Sequence, residues 1–323
     1  MKRRTFLQTT AATTTAISTG SFASGSIQAQ TEQKLVIGYP TAFGFLSTLR
    51  SRSEQIAGVN IEWQSFGNTG PMIEAHNSGA IDLTENGDSL AITLFSNGAD
   101  FKVIATTESQ PKAAGLIVQK DLAARSFPDL VGKKIIFLQG TNLHVLFLNL
   151  LKKYNLNSKD FVHVNLGGPD ARSAFAAGAG DAIMTVDPAL ASVEVTTGGR
   201  LLLDGSNGLV ENPYVYTATG KALREKEAAL RLVVPKLREA ITWAALNREQ
   251  QADYLFTSKI LPFPKEAILR GYGRSAKKLV SITPELLSAE QKIADVLFEA
   301  GIAKKPVDVN QLYDLRFNKQ VTG

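Results

Sequence analysis

Lys34-Leu35-Val36-Ile37-Gly38 recurs in worn form 99 residues further along, as Lys133-Lys134-Ile135-Ile136-Phe137. Under the same shift Gly79-Ala80-Ile81-Asp82 falls on Gly178-Ala179-Gly180-Asp181, and Asp88 falls on Asp187. A period of about a hundred residues is far too long for a solenoid. It is the size of a small α/β lobe, so the chain is expected to fold as two similar lobes facing each other. Facing lobes make a cleft, and a cleft suits a small-molecule ligand.

Outward from the first copy, Leu35–Tyr39, Val59–Phe66, Ile81–Thr84 and Phe101–Thr106 read as strands by their β-branched and aromatic content. Helical stretches fall between them near 45–57, 71–78 and 89–97. The pattern restarts at Lys133, with strands Ile135–Leu138, Phe161–Asn165, Ala182–Val186 and Leu201–Leu203 and helices near 142–154, 170–178 and 188–196. This βαβ order predicts an α/β protein in which each lobe is a mostly parallel sheet flanked by helices. Tyr214–Thr219 adds one more strand, after which helices near 225–248 and 284–300 dominate without a partner copy. We read that tail as returning to the first lobe. The chain then crosses twice, near Ser109–Ala114 and Tyr214–Ala218, forming a two-segment hinge. Lobe I takes residues 34–110 and 218–323, and lobe II takes 111–217.

The chain starts Met1-Lys2-Arg3-Arg4-Thr5-Phe6-Leu7, and no acidic residue precedes Glu32. A basic start, a weakly apolar middle and a small-residue end compose an export signal. Adjacent arginines before Phe6-Leu7 resemble a twin-arginine signal, with cleavage expected after Ala29. Removing residues 1–29 lowers the formal charge from +5 to +2. The basic excess thus belongs largely to the signal and gives little reason to expect a nucleic-acid partner. No apolar run reaches the length of a membrane span. The absence of cysteine excludes disulfides, thiolate metal sites, a cysteine nucleophile and a lipid-anchored N-terminal cysteine. These features point to export, with the periplasm as the simplest compartment.

In open parallel sheets ligands bind beyond the carboxyl ends of the strands, where loops lead into helix N-termini. Six such loops follow from the assigned strands. The first lobe contributes Pro40–Phe45, Gly67-Asn68-Thr69-Gly70 and Asn86-Gly87-Asp88-Ser89. The second contributes Gly140-Thr141-Asn142-Leu143-His144, Gly167-Gly168-Pro169-Asp170 and Asp187-Pro188. Small and polar, they expose backbone amides that attract anions. The ligand-binding candidates on them are Thr41, Asn68, Thr69, Asn86, Asp88, Thr141, Asn142, His144 and Asp187. Structural roles compete at several positions. Thr141 or Asn142 should cap the next helix, Asp88 and Asp187 also suit helix caps, and Asp82 and Asp181 suit turns. Arg172 can reach the cleft or pair with Asp170 outside it. No hydrolase elbow, phosphate loop, dinucleotide fingerprint or zinc-protease motif occurs, and His76, His144 and His163 lack metal-ligand spacing. No catalytic residue, cofactor or metal is expected.

Several segments, taken in order, resemble one known family. They are Ile37-Gly38-Tyr39, Met72-Ile73-Glu74-Ala75, Gly79-Ala80-Ile81-Asp82-Leu83, Gly87-Asp88 and Asp129-Leu130-Val131-Gly132-Lys133-Lys134. They continue with Gly140 and His144, Asp170-Ala171-Arg172 with Ala174-Phe175, and Asp187-Pro188. Over Leu35 to Leu315 the chain is similar to the periplasmic binding proteins of ABC importers for aliphatic sulfonates, taurine and nitrate, most closely the sulfonate branch. The resemblance implies the two-lobed periplasmic-binding-protein fold of type II, closing as a monomer on a small organosulfonate anion. It also implies delivery to a membrane permease and its ATPase. From the family, Asn68, Thr69, Asn86, Thr141, Asn142 and His144 would hold the sulfonate head. The chain departs from the pattern at Thr141-Asn142-Leu143, where many relatives are serine-rich, at Val186, where many carry Trp, and at Gly70-Pro71, a shifted turn. Two alternatives stay open: a nitrate or thiamine-precursor-like heterocyclic ligand, with Asp88 meeting a cationic group, and an exported enzyme with His144 as acid or base.

Overall fold

Asp82 and Asp181, the best-kept pair of the repeat, perform the same task in both halves. Asp82 accepts the Val36 amide at 2.7 Å and returns its own amide to the Val36 carbonyl. Asp181 does the same with Lys134, at 2.8 Å. Each aspartate follows a glycine, Gly79 or Gly178, held at φ +74, a left-handed turn that side chains disfavour. These turns bring each helix back to the edge of the strand before it.

The computed structural model describes residues 32–52 and 56–322, so the expected export signal lies outside the described residues. The elements run β1 (Gln33–Pro40), α1 (Leu46–Ser51), β2 (Val59–Phe66), α2 (Thr69–Asn77), β3 (Leu83–Gly87), α3 (Asp88–Ser96) and β4 (Phe101–Thr107). Then come β5 (Ala114–Val118), β6 (Lys134–Phe137), α4 (Asn142–Tyr154), β7 (Val162–Asn165), α5 (Gly168–Ala176), β8 (Ala182–Val186), α6 (Ala189–Thr197) and β9 (Arg200–Asp204). The chain finishes with β10 (Tyr214–Thr219), α7 (Gly220–Glu225), α8 (Glu227–Leu246), α9 (Arg248–Thr257), α10 (Lys265–Arg274), β11 (Leu279–Val280), α11 (Pro284–Glu299), α12 (Val309–Leu312) and α13 (Asn318–Thr322). Among the described residues no helix is long and apolar enough to cross a membrane.

The strands form two sheets, ordered β11-β4-β10-β3-β1-β2 and β7-β6-β8-β5-β9. β1 pairs parallel with β2 and β3, and β6 pairs parallel with β7 and β8. β10 is antiparallel to β3 and β4, and β5 is antiparallel to β8 and β9. Four strands of each sheet thus run one way, as expected, and the sheets are mixed only in that β10 and β11 in the first and β5 in the second run against them. The reason is the crossover: the strand that enters each sheet from the other half, β5 or β10, arrives in the opposite direction.

The two crossing segments, residues 108–113 and 205–213, bond to each other. Gln110 donates its amide to the Glu211 carbonyl at 2.9 Å, and Gly205 donates to the Pro111 carbonyl at 3.0 Å. The second crossing thus precedes Tyr214–Ala218, which lies inside β10, so the return to the first half comes before residue 218. Tyr214–Thr219 is buried throughout and needs partners on both edges, which β3 and β4 supply.

One apolar cluster covers the first sheet with α1 and α8–α10. A second joins β4, α3 and α11 to the second-sheet strands and α4. The buried stripe of α4, Leu146, Phe147, Leu150 and Leu151, is what turns the helix N-terminus toward the space between the sheets.

Candidate functional site

The loops after the parallel strands of both sheets line a cavity of about 100 Å³. From the first sheet come Pro40, Ala42 and Phe43 after β1, Phe66 to Thr69 after β2, and Gly87 with Leu90 after β3. The second sheet supplies Leu138, Thr141, Asn142 and Leu143 after β6, Leu166 to Gly168 with Ala171 and Arg172 after β7, and Met184 to Val186 with Ala189 at β8. Asn212 of the second crossing segment and Tyr214 at the start of β10 close it.

Three helices, α2, α4 and α5, start at this wall. Their N-cap residues are Asn68, Thr141 and Gly167, and none accepts a side-chain cap hydrogen bond. Thr141 instead donates its hydroxyl to the Leu138 carbonyl at 2.7 Å. Helix-start amides left without caps, together with the positive ends of the helix dipoles, favour an anion in the cavity.

Arg172 is the one charged residue on the wall among the described residues. Its guanidinium lies 5.0 Å from the Phe263 ring. Burial pulls its pKa down, and the Asp170 charge works against that. No carboxylate, histidine or cysteine joins the wall among the described residues. The remainder is mostly apolar, with Phe43 stacked on Tyr214 at 5.5 Å.

Of the nine residues expected from sequence, Asn68, Thr69, Thr141 and Asn142 line the cavity. Thr41 bonds the Phe66 carbonyl through its hydroxyl, at 3.4 Å, and through its amide. Asn86 is buried in the sheet, donating to the Thr217 hydroxyl at 3.2 Å. His144 turns back on its own loop: its Nδ1 accepts the Gly140 amide at 3.2 Å and the ring packs on Phe137. Burial and the neighbouring His163 lower its pKa to about 4, so it is neutral at neutral pH.

Asp88 sits behind the wall with no exposed surface. Its Oδ1 accepts from the Ser89 amide and hydroxyl and from Asn142 Nδ2. Asp187 is also fully buried, and Arg274 grips both its oxygens at 2.6 and 2.8 Å. Burial lifts the pKa of each carboxyl to about 6, against the Asn142 and Ser89 hydrogen bonds in one case and Arg274 in the other. The N-cap of α6 is Pro188, so Asp187 acts one position earlier than a cap, accepting the Ala191 amide at 3.1 Å. Neither carboxylate faces the cavity.

The wall also holds Phe43, Phe66, Arg172, Asn212 and Tyr214. Phe43 belongs to the expected Pro40–Phe45 loop, Arg172 was left between cleft and solvent because that choice depends on packing across the sheets, and Phe66, Asn212 and Tyr214 carried no site signal.

Comparison with known proteins agrees with this architecture. The family described as NMT1/THI5 like matches residues 55–249. An aliphatic sulfonates-binding protein of Escherichia coli (strain K12) is 28% identical over 284 residues, 86% of this chain and 88% of that protein. The alkanesulfonate-binding protein SsuA from Xanthomonas axonopodis pv. citri, solved bound to MOPS, superposes with a TM-score of 0.79 at 25% identity, covering 87% of this chain and 98% of its own. The periplasmic aliphatic sulphonate binding protein SsuA from Escherichia coli gives 0.76 at 27% identity, covering 87% and 97%.

Proposed function

This chain belongs to the NMT1/THI5-like family, and on that premise we propose that it is the solute-binding component of an ABC import system. It captures a small organosulfonate anion between its two lobes and delivers it to a membrane permease and its ATPase. It works as a monomer in the periplasm, exported by a cleaved twin-arginine-type signal over residues 1–29. One observation carries the reading: the uncapped starts of α2, α4 and α5 and the Arg172 guanidinium converge on one cavity with no carboxylate opposing them among the described residues.

A sulfonate offers three acceptor oxygens on one negative charge, which suits backbone amides, the Thr69 and Thr141 hydroxyls, the Asn68 and Asn142 amides and a guanidinium. The apolar remainder of the wall, with Phe66, Leu138, Leu166 and Val186, suits an uncharged tail. The cationic Arg172 on the wall, with no carboxylate facing it among the described residues, disfavours a cationic heterocycle and gives the ammonium of taurine no counter-charge there. Binding proceeds without chemistry in this reading. Asn86, Asp88, His144 and Asp187 support this site from behind.

The test is native mass spectrometry of the protein purified from its own host. A co-purifying sulfonate, lost on denaturation, is the expected result; a co-purifying cation, or a ligand returned chemically altered, would overturn the reading.

A further inference from the structure

Asp88 opens α3, which follows a strand of the first sheet, and Asn142 opens α4, which follows a strand of the second. Their side chains meet between the sheets, with Asn142 Nδ2 2.6 Å from Asp88 Oδ1. Asn142 lines the cavity and Asp88 lies behind it, wholly buried. The approach is close: a Cβ at Gly87 would stand 1.9 Å from Asn142 Oδ1. The carboxamide reaches Asp88 only across a residue without a side chain. The other carboxylate oxygen, Oδ2, is buried without a partner. Two crossing segments link the sheets, the arrangement in which a hinge motion would make or break a contact between them.

We propose that Asp88 is a positioning residue that acts through Asn142: their contact locks the sheets over the cavity, and acid strengthens the lock by supplying a proton to the buried carboxyl. Burial in the closed form pushes that carboxyl from 3.8 to about 6. The groups acting on it from neighbouring elements are themselves acids: Glu211 of the second crossing, Glu290 of α11 and Tyr313 after α12. When the sheets part, water reaches the carboxyl and its pKa falls back toward the ordinary value. Between pH 6 and 4 the closed form therefore holds a proton that the open form has lost. The ratio of closed to open molecules rises as pH falls through this window, by up to about tenfold per pH unit, and is flat above pH 7.

The chain has no cysteine, so two spin labels can be placed without background. Lys159→Cys precedes β7 of the second sheet and Lys236→Cys lies on α8 beside the first; both positions are exposed. Pulsed electron resonance on the full ligand-free chain then reads the distance between the halves from pH 8 to 4. The short-distance population is expected to grow below pH 6 in the labelled parent. In Asp88→Asn it stays high at every pH, because the amide keeps an acceptor for Asn142 and carries no charge. In Asp88→Ala it is low throughout. A parent distribution indifferent to pH between 7 and 4, a D88N variant that titrates like the parent, or D88A closing as fully as the parent would each overturn the proposal. The readout uses no ligand, so it stands apart from the identity of the anion.

Discussion

Removing the guanidinium of Arg172 takes away the one charged group on the cavity wall among the described residues while leaving the helix starts in place. A hydrogen bond to a charged group contributes about 1.5–3 kcal/mol, so Arg172→Ala is expected to weaken sulfonate binding about 10- to 100-fold. Its melting temperature should move little, because Arg172 makes no ion pair among the described residues; calorimetric titration beside thermal unfolding checks both halves of the statement. The site's polar residues at strand-to-helix turns, Asn68, Thr69, Thr141 and Asn142, were legible because a turn after a parallel strand can face only the sheet's open end. The reach of Arg172 and the presence of Tyr214 were not, since their place on the wall depends on how the two sheets meet. The direction of His144 was equally hidden: a first-turn side chain can project outward or fold back, and the Gly140 amide draws it back.

At the scale of elements, two buried carboxylates hold helices in place. Glu85 accepts the Phe45 and Leu46 amides, at 2.7 and 2.9 Å, where α1 begins. Glu85→Ala strands both amides in a buried setting at a cost of about 1–3 kcal/mol each, and urea unfolding should register the loss. Arg274, at the end of α10, bridges Asp187 and Glu194, with 2.9 Å to the latter. Arg274→Ala leaves the buried Asp187 charge alone and is expected to cost about 3–5 kcal/mol, measured by the same unfolding. α2 to α6, α8 and α11 emerged from sequence to within about two residues, whereas α1 ends at Ser51 rather than near 57 and α9 and α10 were not assigned. β5 was not among the expected strands, and the crossing expected near Ser109–Ala114 touches only its first residue. Ala114–Val118 is short, contains Gly115 and is buried on both faces, so it shows none of the alternation that marks a strand.

At the scale of the whole molecule, buried acids and histidines shape the pH response. Burial raises Glu85 to about 8. Between about pH 6.5 and 8 the folded chain keeps a proton there that the unfolded chain has lost, so stability falls as pH rises through that range. His76 and His144, lowered to about 4 by burial, act oppositely below pH 6.5, where the unfolded chain binds protons that the fold refuses. Thermal unfolding is therefore expected to show a lower melting temperature at pH 8 than at pH 6.5, with Glu85→Gln flattening the difference. The two-lobed plan itself was legible from the repeat, because scaffold residues such as Asp82 and Asp181 do the same work in each half. The cavity was less so, since it is built where the copies differ.

The most direct test of the account is isothermal titration of the chain without residues 1–29 with ethanesulfonate, alongside taurine, nitrate, sulfate and a cationic aminopyrimidine. Ethanesulfonate is expected to bind below millimolar and more tightly than taurine, with no heat from the cation. Silence from every anion, or saturation by the aminopyrimidine alone, would contradict it.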